Sequence, residues 1–214
     1  MIPYHFLEKM GNYEVTVHGV KVKVSVVTDV RLIAGKISEL MSFMETRRVM
    51  GLDFKVDQYN RDVYQLLLCA GNHCLIIPAI FNDGKPLHYC KELMQLLSDD
   101  TICFVGVAMR SKVKLYSRNF FICKAGVELG HLVARVLKKP NLEMCSQVVV
   151  LGGEVGLDIK PPTPLGAEGS GAGASSSREP SWSGKVVFSE EEVKYAIHDV
   201  YASFLIGNKL LGML

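Results

Sequence analysis

The chain has 214 residues, 49% of them hydrophobic and 21% charged, with a formal net charge of +2. That is enough chain to bury the core of one domain, in the proportions of a globular protein. So small a net charge excludes a strong overall field drawing the molecule to nucleic acid or to a membrane, and any basic binding surface has to be local.

The opening stretch, MIPYHFLEKMGNYEV, has no basic region leading into an apolar core, so no secretory signal is expected. Residues 13–27 alternate on both sides of His18-Gly19 and predict a β-hairpin. Leu32, Ile33, Ile37, Leu40, Met41 and Met44 recur at helical spacing and predict a helix over 32–46. Three strands follow: a buried one in RRVMGLDFKV (47–56), a second in RDVYQLLLC (61–69), and a third in HCLIIPAI (73–80). Pro78 belongs at the end of the third, because proline cannot donate to a central ladder. KPLHYCKELMQLLSDD (85–100) predicts a helix, TICFVGVAM (101–109) a buried strand, RSKVKLYS (110–117) a helix, and VELGHLVARVLKK (127–139) an amphipathic helix stopped before Pro140. Residues 142–156 are ambiguous, since the run VVV also suits a strand.

Gly, Ser, Ala and Pro dominate residues 160–184, which bury too little apolar surface to offset chain entropy; a flexible loop is expected there. Ser189 followed by Glu192 forms a capping box at the head of SEEEVKYAIHDVYASFLIGNKLL, with an acidic first turn that suits the helix dipole. No apolar run approaches the roughly 20 residues a membrane helix needs, so no membrane partner is expected. The six cysteines form no CxxC pair and several sit in apolar runs. They predict free thiols in an intracellular protein of the nucleus or cytoplasm. Strands followed by helices imply a mixed sheet with helices packed on it.

Two short patterns carry chemistry. Gly51-Leu52-Asp53-Phe54-Lys55 puts an aspartate inside a buried strand. Tyr195-Ala196-Ile197-His198-Asp199 puts a tyrosine and an aspartate four apart, on one face of the last helix. Taken singly, Asp53 is as well read as a strand-end acceptor of a backbone N–H, Asp199 as a solvated acid and Tyr195 as a packing residue. His198 neighbours Asp199 but lies about 100° away around the helix, and is set aside. There is no zinc-like spacing, no GxGxxG after a strand and no GxSxG elbow, and Gly152-Gly153 reads as a helix-end turn.

In order, these patterns resemble the DEDDy class of 3′–5′ exonucleases, above all the Werner-type exonuclease domain and its small plant relatives. The family phrase GLDxEW stands against Gly51 to Val56, FVGVGIKEDVxKL against Phe104 to Leu115, and QVKYAxxDAxxSxxIGxKL against Glu192 to Leu210. QLCVGxxCL resembles Leu66 to Leu75, and DLxxLAxxVLxxPxL resembles Glu128 to Leu142. The likeness runs from about Tyr13 to Leu211. It implies an α/β fold, a ribonuclease H-like mixed β-sheet flanked by α-helices, in a single exonuclease-like domain over 1–214 with its insert at about 160–184. It also favours a helix over 142–156.

In that family four carboxylates hold two divalent ions, Mg or Mn, which position the attacking water and stabilise charge on the phosphate. Asp53 and Asp199 match two of the four, as catalytic remnants and candidate metal ligands, and Tyr195 matches the tyrosine that helps orient the water. Lys55 stands in place of the glutamate of the first motif, and Lys112 in place of the aspartate of the second. A protonated lysine has only donors and cannot ligate a hard cation. Lys55 is expected to pair with Asp53 or Asp199 instead, and Asp57 is the one spare acid of the first motif, an even step along the strand from Asp53. The implied function is a nucleic-acid-binding, 3′–5′ exonuclease-like domain that is catalytically impaired, with no cofactor expected, or Mg or Mn if active. Lys55, Arg110, Lys112 and Lys114 are its candidate contacts to a single strand or a 3′ end. Arg110 and Lys114 read equally as a solvated helix face. The alternatives are an active metal-dependent 3′–5′ exonuclease with an altered site, or a scaffold for a protein partner or homo-oligomer.

Overall fold

A computed structural model describes residues 2–3, 13–44, 46–56, 63–81, 83–112, 123, 125–162, 187–188 and 190–214. Strand β1 (Ile2–Pro3) pairs with a short segment near the far end of the chain. The alternating valines that follow form the antiparallel hairpin of β2 (Tyr13–Val17) and β3 (Val20–Val26). It turns at His18-Gly19, both at positive φ, as two-residue hairpin turns require. Helix α1 (Ile33–Ser42) follows a 3-10 turn over Val30–Leu32, whose entry is capped by Asp29 accepting from the Arg31 N–H.

Strands β4 (Val49–Val56), β5 (Val63–Ala70) and β6 (His73–Pro78) come next, with Pro78 at the strand end as expected. Helix α2 (Lys91–Ser98), β7 (Cys103–Gly106), β8 (Gly126–Glu128), α3 (Leu129–Val136), α4 (Val148–Glu154), β9 (Val187–Phe188) and α5 (Glu190–Leu211) complete the described elements. The seven-stranded sheet has the order β2-β3-β6-β5-β4-β7-β8. The β3–β6, β4–β7 and β7–β8 pairs are parallel and the others antiparallel, and β1 pairs separately with β9.

Central strands buried on both faces read as continuous apolar runs, and here each face has its own core. Met50, Leu52, Phe54, Leu66 and Leu68 pack with Ile33, Ile37 and Leu40 of α1 and Leu93 and Leu97 of α2. Val49, Leu67 and Val105 pack on the opposite face with Val133 of α3, Leu151 of α4 and Val200 and Phe204 of α5. Gly51 sets the distance between β4 and α5: a Cβ there would lie 2.3 Å from the Val200 carbonyl oxygen. Its bare Cα lets the helix backbone rest on the strand, and so fixes how far Asp199 stands from Asp53.

Several boundaries differ from the sequence expectations. The helix expected over 32–46 ends at Ser42. The helix expected over 85–100 is shorter, because Leu87–Tyr89 form a 3-10 turn and Cys90 is extended. The Leu87 N–H is held by the Ala79 carbonyl oxygen, which keeps this entry irregular. The strand expected over 101–109 ends at Gly106, and the chain turns through Ala108 at φ 55°. Val127 and Glu128, expected in a helix, belong to β8, because Gly126–Glu128 extends the sheet beside β7. The ambiguous segment over 142–156 is helical at Val148–Glu154. All six cysteines are unpaired thiols. Ser189 of the capping box and all but the first three residues of the 160–184 insert lie outside the described residues. Among the described residues no helix is long and apolar enough to cross a membrane.

Candidate functional site

Because side chains alternate along a strand, Met50, Leu52 and Phe54 face the α1–α2 layer while Gly51, Asp53 and Lys55 face α5. Asp53 is only 1% exposed. Its Oδ1 accepts from the Phe54 backbone N–H at 2.8 Å and from Lys112 Nζ at 2.5 Å. Its Oδ2 faces Lys55 Nζ at 3.1 Å, an ion contact without hydrogen-bond alignment. Lys55 Nζ also lies 3.8 Å from Asp199 Oδ2 on α5. The expected pairing of Lys55 is thus present with both aspartates, and Lys112 joins it. Each oxygen of the buried carboxylate has its own ammonium group.

Lys112 reaches Asp53 by a route with no local sequence signature. Helical turns begin at Met109, and the Lys112 N–H donates to the Ala108 carbonyl oxygen. Glu128, at the end of β8, accepts from the Ala108 N–H at 2.7 Å and the Arg110 N–H at 3.4 Å. A carboxylate across the first free N–H groups of a helical turn caps it and favours its dipole. Glu128 is therefore a positioning residue for Lys112, which the sequence reading missed.

His198 is a second residue that sequence reasoning missed. Its Nδ1 lies 2.9 Å from Asp199 Oδ1, and its Nε2 lies 2.8 Å from the Lys160 carbonyl oxygen. Both partners only accept, so whichever ring nitrogen carries a proton donates. The backbone directions of residues 198 and 199 do diverge around the helix, but the imidazole turns back to its neighbour. His18 stands edge-on to that ring, centroids 5.2 Å apart, and accepts the Lys160 N–H at Nδ1. Burial, then the neighbouring His198, pushes the His18 ring below the usual histidine range, which suits an acceptor. The peptide at Lys160 is thereby held between two histidines.

Burial is the largest single influence on Asp199 and would raise its carboxyl. The His198 hydrogen bond and the Lys55, His198 and Lys112 charges together outweigh it and bring the carboxyl down to about 2 from an ordinary 3.8. A carboxyl depressed in the folded state adds stability that is complete above its unfolded value and lost as pH falls through the folded one. Acid unfolding followed between pH 4 and 2 is expected to show this loss, and Asp199→Asn is expected to flatten the profile in that window.

Tyr195 sits one turn before Asp199 on α5 and is half-buried. Arg110 does not line up with the lysines; it lines a separate cavity with Arg135. Lys114 and Asp57 lie outside the described residues. Among the described residues no group of three or more His, Cys, Asp or Glu side chains is placed to hold a metal ion. The donor set itself does not fit a pair of hard divalent ions. It offers two carboxylates, and both are already in contact with ammonium groups.

No known family profile matches the sequence, and no curated protein matches it. Solved structures do match. Escherichia coli RNase D, described as an exoribonuclease involved in structured RNA processing, aligns with a TM-score of 0.60 at 15% identity. The alignment covers 89% of this chain and 44% of that one. The EXD2 exonuclease domain, in crystals soaked in Mn and Mg, aligns with a TM-score of 0.48 at 21% identity, over 89% of this chain and 90% of that one. At these identities the likeness speaks to architecture alone. The mixed seven-stranded sheet with helices on both faces, and its match to RNase D, give this chain an α/β, ribonuclease H-like fold.

Proposed function

We propose that this is an exonuclease-like domain that binds a nucleic-acid strand without hydrolysing it, because two lysines occupy the charge positions of a metal centre. The observation that carries this reading is the pair of ammonium groups, Lys112 Nζ at 2.5 Å and Lys55 Nζ at 3.1 Å, on the two oxygens of buried Asp53. Two negative and two positive side chains sum to zero, so the cluster has no excess charge to draw in a divalent ion. Neither lysine can lower the pKa of a bound water or bridge phosphate oxygens as a metal does. Losing one well-placed electrostatic stabiliser typically costs a factor of about 10² or more, and here the whole ion pair is replaced. The fold shared with RNase D supports a nucleic-acid ligand, a single strand or its 3′ end, and six unpaired thiols support an intracellular setting.

The test is incubation of 5′-labelled single strands of RNA and DNA with Mg²⁺ or Mn²⁺, beside Asp53→Ala with Asp199→Ala. No shortening is expected from either protein, with binding at low salt that weakens as salt is added. Laddering from the 3′ end that disappears in the double variant would contradict the impaired chemistry. Absence of binding to either strand at low salt would contradict the nucleic-acid half of the reading.

A further inference from the structure

An open cavity of about 1060 Å³ lies between the turn at 108–111, β8 and α3. It is at the top of the size range of small-molecule pockets, about 300–1,000 Å³. Neither Asp53, Lys55, Lys112 nor Asp199 lines it. Arg110 enters from the turn, and Arg135 from the last turn of α3. Among the described residues neither guanidinium has a side-chain hydrogen bond or a carboxylate partner. Two acids, Glu128 and Glu143, also line the cavity. The Glu128 carboxylate accepts two backbone N–H groups, and Glu143 stands 3.7 Å from His131.

Between these charges the walls are apolar: Met109, Val127, Leu132 and Met144 all line the cavity. Met144 is 87% exposed, an unusual placement for a large thioether with nothing covering it. Two unpaired planar guanidinium groups beside flexible apolar side chains suit a ligand with a phosphate at one end and a flat ring at the other. Arginine binds phosphate oxygens in bidentate fashion, and methionine packs on aromatic faces.

The geometry points to a nucleotide-binding site in this cavity, with Arg110 and Arg135 on the phosphate and Met109, Leu132 and Met144 against the base. The ligand is either a free nucleoside monophosphate or one nucleotide unit of a single strand. The strand form rests on the nucleic-acid reading above; the mononucleotide form does not. The paired lysines at Asp53 have their charge neutralised within the protein, whereas these two arginines keep theirs available for a phosphate.

The experiment measures binding of adenosine monophosphate by calorimetry, and of a short labelled oligouridylate and an oligothymidylate of equal length by anisotropy. It compares the unmodified protein, Arg110→Gln with Arg135→Gln, and a control that removes equal charge elsewhere, Lys21→Gln with Lys85→Gln. Both pairs of residues are exposed, so all three proteins are expected to melt together. The arginine variant is expected to lose about tenfold in affinity per guanidinium. Its salt slope on the oligonucleotide should fall by about 0.7, the value for the one phosphate that both guanidinium groups meet, while the control stays close to the unmodified protein. Binding of adenosine monophosphate lost with the arginines supports the site for free nucleotide, and loss on the oligonucleotides alone supports it for a strand. Binding of all three probes unchanged in the arginine variant overturns the site and leaves the nucleic-acid reading standing. No binding of any of the three probes by the unmodified protein overturns both.

Discussion

Asp53→Asn is expected to destabilise the protein by about 3–5 kcal/mol, the usual loss when one partner of a buried ion pair is removed. In a chain of this size that lowers the thermal midpoint by roughly 10 °C. The reason lies in what remains. The Lys55 and Lys112 side chains are 10% and 20% exposed, and both ammonium groups converge on the Asp53 carboxylate. Without that carboxylate Lys55 loses its shorter ion contact and keeps Asp199 at 3.8 Å, and Lys112 keeps no carboxylate within 4 Å among the described residues. The sign is diagnostic. Where four carboxylates crowd one site, neutralising one relieves like-charge repulsion and stabilises the metal-free protein. Thermal and urea unfolding of the asparagine variant read the sign directly.

The reverse exchange has the second large effect. Lys55→Glu with Lys112→Asp puts four carboxylates around one point and leaves buried Asp53 without a cation. In the absence of divalent ions this variant is expected to melt several degrees below the unmodified protein. Added Mn²⁺ should then raise its midpoint, because a ligand that binds only the folded state stabilises it by about 2.7 kcal/mol at a hundredfold excess over its dissociation constant. That corresponds to roughly 5–10 °C. The unmodified protein should show no such rise. Mn²⁺-dependent shortening of a labelled strand, at least about 10²-fold above the unmodified protein, is the expected companion result. A midpoint indifferent to Mn²⁺ in the variant would mean that the cluster lacks the geometry of a metal centre even when its charges are restored.

The parts of this arrangement that sequence revealed are those encoded locally. The aspartate and lysine of β4 were visible because an apolar run marks a buried strand, and a step of two keeps both on one face. Helix α5 was visible from its length, its acidic first turn and the four-residue step from Tyr195 to Asp199. Strand β8 was not, since three residues carry no period and its existence depends on β7 lying alongside. The arrival of Lys112 at Asp53 was legible only through a resemblance. It depends on a positive φ at Ala108 and a carboxylate from β8, which are contacts between segments far apart in the chain. His198 was set aside on the angle between successive helix positions, an argument about backbone direction that side-chain rotation overrides. Arg110, grouped in the sequence reading with the lysines, lines a different cavity together with Arg135, because helix positions two apart point about 200° away from each other.

The most direct test of the claim that ammonium groups have replaced a metal centre is a calorimetric titration of the unmodified protein with Mn²⁺ at neutral pH, with Asp53→Asn beside it. The account predicts no saturable heat from either protein. Saturable Mn²⁺ binding to the unmodified protein that disappears in Asp53→Asn would contradict it.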